Sequence, residues 1–173
     1  MIRTRRDLTR FALAILALSM LSGASAIAAS DAGNRPSSSQ DQMDIAAARA
    51  DRRALVSDNM NLTKEQAAKF WPVYDAYEAK MDRVEERHVA EVHSFAEHYE
   101  TLTDTDADKK LDEVMAVRQA RLDVQKEFIP KFRAAVGSIP TTRFFQIDNK
   151  LNALVQCELA KALPLAQPGA TQK

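Results

Sequence analysis

The chain has 173 residues, with 24 basic and 24 acidic side chains, four glycines, six prolines and one cysteine. A balanced charge gives no reason to expect binding to nucleic acid or to an anionic membrane surface. The glycines are scattered singly, so they do not form a phosphate-binding loop, and a lone cysteine excludes an intramolecular disulfide. The abundance of Ala, Leu, Glu, Lys, Arg and Gln favours helices.

Residues 1–29 have the pattern of an export signal. Four arginines precede an apolar run at 11–21, and small residues follow with Ala24-Ser25-Ala26 as a cleavage triplet. We expect removal of this signal after export by the Sec route to the periplasm. The pair Arg5-Arg6 leaves the twin-arginine route open as the less favoured alternative. The uncharged stretch also leaves an uncleaved membrane anchor open, and a membrane contact is expected only in that case.

Removal of the signal leaves a mature chain the size of one domain. Twenty basic and twenty-three acidic side chains remain, for a net charge of about −3. Residues 30–42 lack apolar periodicity and are rich in Ser, Asn, Gly and Pro, which predicts a disordered linker. We place a helical domain at 43–164 and a disordered tail at 165–173. A short amphipathic helix is expected at about 43–56.

A capping box opens the most strongly patterned helix. Thr63 can accept a hydrogen bond from the Gln66 backbone N–H while the Gln66 side chain returns to the Thr63 N–H, and Leu62 occupies the hydrophobic-staple position. An apolar stripe with steps of three and four residues follows, as expected for one helix face. Its members are Phe70, Tyr74, Tyr77, Met81, Val84, His88, Val92, Phe95 and Tyr99.

A second helix start lies at Leu102-Thr103, where Asp106 stands in the place of Gln. The predicted apolar side of this helix comprises Leu111, Val114, Met115, Leu122 and Phe128/Ile129. Pro130 is expected to kink it and Gly137 to end it. A third helix is predicted from Thr141 or Thr142 to Pro164. It buries Phe144, Ile147, Leu151, Leu154, Val155, Leu159 and Leu163.

No segment alternates over strand length, so the predicted fold class is all-α. We expect a long kinked antiparallel helical hairpin plus a third packed helix, with a dimer left open. Arg118 and Gln125 fall on the apolar side of the second helix. Arg118 either snorkels from a boundary position or pairs with Glu85 or Glu91 across the hairpin. Cys157 follows the apolar pattern of the third helix and is read as a small buried hydrophobe, the alternative being a disulfide between two chains.

The two helix starts, Leu62-Thr63-Lys64-Glu65-Gln66 and Leu102-Thr103-Asp104-Thr105-Asp106, resemble the LTxxQ motif of the Spy/CpxP-like periplasmic helical proteins. The resemblance covers about residues 55–137 and the export signal. It implies long antiparallel helices, a curved homodimer, and activity as an ATP-independent chaperone or an envelope-stress adaptor. Asp106 in place of Gln and the mildly acidic mature chain depart from that pattern.

Metal binding is the alternative from another class. Glu85 and His88 have the Glu-x-x-His spacing of carboxylate-bridged metal bundles, but no second copy occurs in the chain. His93 and His98 lie at steps of about 140° around the helix, so the three histidines do not share one face. Zinc held by these residues remains a secondary hypothesis. No catalytic constellation is present in the pattern, and no cofactor is expected.

The function predicted from the sequence is therefore that of a non-enzymatic binding protein. Its apolar helix faces are expected to hold an unfolded or partner protein or a second copy of the chain. Six aromatic residues are the predicted partner surface, although the helical stripe that they share is also typical of a core. They are Phe70, Trp71, Tyr74, Tyr77, Phe144 and Phe145.

Overall fold

A computed structural model describes residues 39–166 and contains four helices there and no strand. The helices are α1 (Ser39–Met60), α2 (Lys64–His98), α3 (Asp104–Val136) and α4 (Ser138–Ala162). The all-α prediction is confirmed. The export signal and its cleavage triplet lie outside the described residues. Within the described part, no helix combines the length and the apolar character needed to cross a bilayer.

Helices α2 and α3 form an antiparallel hairpin. The ring of Phe70, near the start of α2, lies tilted against that of Phe132, near the end of α3, with centroids 5.3 Å apart, and Tyr77 meets Phe128 edge-on at 5.6 Å. Further along α2, Glu91 pairs with Lys110 in the early part of α3 at 3.1 Å. The predicted stripe of α2 faces inward, because Phe70, Tyr74, Tyr77, Met81 and Val84 are all buried. The rest of the stripe is half-buried.

An aromatic cluster forms the core where the first part of α4 joins the hairpin. Phe132 and Phe144 have ring centroids 4.5 Å apart, and Phe144 meets Tyr77 edge-on at 5.5 Å. Such pairs contribute about 0.5–1.5 kcal/mol each beyond the burial of their area. The rings of this cluster come from three helices, and they are Phe70, Trp71, Tyr74, Tyr77, Phe128, Phe132, Phe144 and Phe145.

A single residue, Gly137, separates α3 from α4. Its φ of 85° and ψ of 171° lie in a region that is essentially restricted to glycine, and its N–H donates to the Arg133 carbonyl at 2.9 Å. Helix α4 therefore begins at Ser138, earlier than the predicted Thr141 or Thr142. Pro140 does not delay the start, because the N–H groups of the first turn have no helical acceptor in any case. Buried Thr141 donates its hydroxyl to the Gly137 carbonyl at 2.7 Å.

The described residues fall into two compact units. One comprises residues 62–145 together with 161–166, and the other comprises residues 39–61 and Gln146–Ala160. In the second unit, α1 extends beyond the predicted 43–56 at both ends. It ends at Met60, and the next residue, Asn61, has a φ of 52°, a left-handed conformation that asparagine adopts more readily than most residues.

Candidate functional site

Both predicted helix starts are formed. At α2 the Gln66 N–H donates to Thr63 Oγ1 at 3.2 Å, and the Thr63 N–H donates to Gln66 Oε1 at 3.0 Å. At α3 the Asp106 N–H donates to Thr103 Oγ1 at 3.2 Å, while the Thr103 hydroxyl donates to Asp106 Oδ2 at 2.7 Å. That hydroxyl holds the pKa of Asp106 below its usual value. Each motif satisfies its own helix end, and nothing in its geometry points to a ligand.

The predicted aromatic surface is wrong for four of its six residues. Phe70, Tyr74, Tyr77 and Phe144 are between 0% and 3% exposed, so they fill the core and present no surface to a partner. Trp71 and Phe145 are half-buried at the edge of the same cluster. These rings are buried because the aromatic side chains of the hairpin and of the first part of α4 face one another and pack together.

The structure does not bring the proposed metal ligands together. No group of three His, Cys, Asp or Glu side chains suited to a metal ion occurs among residues 39–166. Glu85 pairs instead with Arg121, and His98 Nδ1 lies 2.9 Å from the Ser94 carbonyl oxygen. His93 is exposed.

His88 is half-buried on the inner side of α2. Burial lowers its pKa below the usual value, and the positive charge of Arg118 lowers it further. Both effects disfavour the imidazolium, so His88 is held in its neutral form. Its environment is that of a histidine packed within the hairpin.

The proposed pairing of Arg118 with Glu85 or Glu91 is wrong. Glu85 pairs with Arg121, and Glu91 accepts a hydrogen bond from Lys110 at 3.1 Å. Arg118 itself is exposed. Lys110 also reaches Glu113 at 3.0 Å, which places one ammonium group between two carboxylates. Burial raises the pKa of Glu91, whereas hydrogen bonds to Glu91 and Lys110 lower that of Glu113.

The predicted apolar side of α3 is wrong for three of its residues. Leu111, Met115 and Leu122 are exposed by 63%, 54% and 43%, while Val117 and Phe128 are buried. Helix α3 has two apolar series with the same spacing of three and four residues, and the series that includes Val117 and Phe128 faces inward. We call the other series the outer stripe. It consists of Leu111, Met115, Arg118, Leu122, Gln125 and Ile129.

The outer stripe contains the largest set of large, exposed apolar side chains on any one described helix, namely Leu111, Met115 and Leu122, whereas its Gln125 and Ile129 are half-buried. Elsewhere, large exposed apolar residues occur singly or at chain turns, as at Val89 on α2 and Leu154 on α4. Scattered exposed hydrophobes are ordinary, but a row of them along one helix face is typical of a surface that binds another protein. The sequence contained this signal as a second series of apolar positions on α3.

Two further groups belong to the unit that contains α1. The Arg52 guanidinium pairs with buried Asp148, and Asn152 donates to the same carboxylate at 3.1 Å. Cys157 is exposed, so the prediction of a buried small hydrophobe is wrong for it. The alternative, a disulfide between two chains, stays a prediction.

Comparison with known proteins yields no match, whether to a protein-family model, to a curated protein or to a solved structure. The resemblance to the Spy/CpxP-like proteins therefore rests on the two helix starts and the export pattern.

Proposed function

We propose that this chain is an exported, non-enzymatic binding protein, either an ATP-independent chaperone or an envelope-stress adaptor. It holds unfolded or partner proteins against the outer stripe of α3. The observation that carries the proposal is the exposure of Leu111, Met115 and Leu122 along one helix face. The export pattern and the paired LTxxQ-like helix starts support it.

The exposed apolar members of the outer stripe are not part of the hairpin core. The inward face of α3 already supplies Val117, Phe128 and Phe132 to the core, and each is buried. Side chains that contribute little to folding yet remain apolar are available for binding. A row of anchors spaced by three and four residues can pack against a second amphipathic helix or an extended apolar segment.

The polar surroundings fit reversible binding. Arg118 lies in the middle of the outer stripe and Gln125 follows Leu122 by three residues, so the apolar surface is interrupted. Isolated apolar anchors between polar groups give modest affinity for many sequences, which is what a holding chaperone requires.

A client-aggregation assay tests the proposal. At a stoichiometric level, the wild-type protein is expected to suppress light scattering by a chemically unfolded model protein without ATP. The triple variant Leu111→Gln, Met115→Gln, Leu122→Gln should lose this activity. The matched control is Val89→Gln with Leu154→Gln, because these residues are also exposed, by 39% and 37%. Equal suppression by the triple variant and the wild type would contradict the proposal.

Export is tested separately by intact mass. Protein recovered from the cell envelope is expected to lack residues 1–26 to 1–29. A full-length chain that needs detergent for extraction would identify an uncleaved anchor instead.

A further inference from the structure

The two ends of the hairpin are held together in different ways. On α2 the last buried side chain is Val84, and on α3 the first is Val117, so residues 85–116 contain none. We call residues 85–116 the distal segment, and residues 64–84 and 117–136 the base. The rings that α2 and α3 supply to the aromatic cluster all lie in the base. Separation of the helices in the distal segment would therefore leave this core intact.

Ion pairs and half-buried side chains hold the distal segment closed. Glu85 pairs with Arg121 at its boundary, and Glu91 pairs with Lys110 farther out, with every one of these side chains partly exposed. Partly exposed ion pairs contribute little to stability. Helix α3 has no aromatic residue before Phe128 that could meet α2 in this segment. A segment with so few buried apolar contacts opens more readily than the core that it adjoins.

His88 lies in the first turn of the distal segment, opposite Arg118. Because the helices are antiparallel, three residues forward on α2 from Glu85 and three residues back on α3 from Arg121 lead to His88 and Arg118. The His88 side chain is half-buried on the inner side of α2. Its protonation therefore places two positive charges opposite each other at a position partly shielded from water.

The other charged groups around His88 do not neutralise its charge. Residues 114–122 of α3, the stretch that faces this turn, include Arg118 and Arg121 and no acidic residue. On α2, Glu85 and Glu91 lie one turn before and one turn after His88, and each already pairs with a base of α3. A protonated His88 thus meets like charge on the facing helix, which favours separation of the two helices.

From this arrangement we infer that acid opens the distal segment while the aromatic cluster keeps the base closed, with protonation of His88 opposite Arg118 as the trigger. Opening exposes the inner side of the segment, where Val92, Phe95 and Val114 are half-buried in the closed hairpin. These side chains add to the apolar surface that the outer stripe offers. The gain in binding rests on the function proposed above, whereas the opening itself does not.

The direction of the pH effect follows from which form binds the proton more tightly. Burial and Arg118 lower the pKa of His88 in the closed hairpin, and release from both returns it to the ordinary value of 6.5. The open form is therefore favoured as the pH falls below 6.5. Glu91 acts in the opposite sense, because burial raises its pKa in the closed hairpin. Hydrogen bonds lower the pKa of Glu113, so its contribution is lost only as the pH falls below its ordinary value of 4.5.

Paired spin labels at exposed alanines measure the opening. In protein purified from the cell envelope, with Cys157→Ser as background, labels at Ala96→Cys and Ala107→Cys report on the distal segment. Labels at Ala68→Cys and Ala134→Cys report on the base. Between pH 7.5 and pH 5.5 the distal pair is expected to gain a population at longer distance, while the base pair keeps its distance. One proton on a group with a pKa of 6.5 in the open form limits the rise in the open-to-closed ratio to about tenfold.

Substitutions at two histidines identify the trigger. His88→Gln cannot take up the charge and should stay closed at pH 5.5, whereas His88→Arg carries it permanently and should be open at pH 7.5. The matched control His93→Gln, at an exposed position of the same helix, should open as the wild type does. The base labels show in each variant that the core is folded. A wild-type distal distance that does not respond to pH, equal opening of His88→Gln, or simultaneous loss of the base distance would overturn the inference.

Client assays separate the opening from the proposed function. At pH 5.5 the wild type is expected to suppress aggregation of the same client more strongly than His88→Gln does. Equal suppression by the two, with opening seen only in the wild type, overturns the gain in binding and leaves the proposed function standing. Absence of suppression by both at either pH overturns the proposed function, while the label distances decide the opening independently.

Discussion

Arg52 of α1 pairs with Asp148 of α4, although 96 positions separate them in the chain. The side chain of Asp148 is 1% exposed and that of Arg52 is 14% exposed, so the pair is shielded from water. Asn152 supports the carboxylate from the next turn of α4. The arrangement neutralises a buried charge rather than serving a ligand.

Substitution of one member of this pair should therefore lower the free energy of unfolding more than substitution of both. Arg52→Met leaves an uncompensated buried carboxylate, and we expect a loss of about 3–5 kcal/mol in the free energy of unfolding. Arg52→Met with Asp148→Leu should lose much less, because no charge is then buried alone. Urea unfolding of the two variants measures the difference. A double variant as unstable as Arg52→Met would show that the pair contributes net stability.

Phe132 lies at the centre of the aromatic cluster, in ring contact with Phe70, Tyr77 and Phe144. Phe132→Ala should cost about 3–5 kcal/mol, since a buried ring is replaced by a cavity. Leu111→Ala, on the outer stripe, should change stability by about 0.5 kcal/mol or less because the side chain is exposed. Thermal unfolding of both variants checks which face of α3 is in the core. Similar losses for the two would contradict the orientation of α3 described above.

A substitution at Gly137 tests the importance of the connection between α3 and α4. Apart from the two adjacent residues, a Cβ at this position would meet no atom within 4 Å, so Gly137→Ala introduces no clash with residues farther along the chain. The backbone conformation alone should make the variant about 1–3 kcal/mol less stable. Ser138→Ala, at the adjacent exposed position, is the control and should be close to neutral. Denaturant unfolding of the two variants measures the loss: if the unfolding free energy depends equally steeply on denaturant in both, the difference in midpoint gives the difference in stability.

His88 should make the protein less stable as the pH falls. Its pKa is lowered in the folded chain by burial and by Arg118, whereas the unfolded chain has the ordinary value of 6.5. Below pH 6.5 the unfolded state therefore binds more protons, and stability decreases until the folded state also titrates.

A His88→Gln variant should show a smaller loss of unfolding free energy between pH 7.5 and pH 5 than the wild type. The exposed His93→Gln variant is the control and should retain the wild-type dependence. Urea titrations at the two pH values provide the comparison. If His88→Gln and the wild type show the same pH dependence, His88 is not the source of the loss of stability at low pH.

Local signals in the sequence predicted the helices and one of their buried faces. The capping box at Thr63 and Gln66 involves neighbouring residues, and the stripe from Phe70 to Val84 is a single series, so both could be recognised without tertiary information. The site was harder to predict. On α3 two series share the same spacing, and only packing against α2 decides that Val117 rather than Leu122 faces the core.

Long-range contacts account for the other differences between the sequence-based predictions and the structure. Nothing local joins Arg52 to Asp148, and periodicity alone could not distinguish an aromatic core at Phe70 and Phe144 from an aromatic surface. Pro140 was misleading for a different reason: it was placed before the predicted start of α4, but proline is tolerated in the first turn of a helix and is here the third residue of α4.

The one-residue junction at Gly137 also sets the angular phase of α4. Each residue added to a helical path turns the following side chains by about 100°, so a single insertion at this junction would rotate Phe144 out of the aromatic cluster. The connection between α2 and α3, at residues 99–103, has no such constraint and can absorb a change of length. Length variation in this fold is therefore expected at the tip of the hairpin, whereas the passage from α3 to α4 tolerates none.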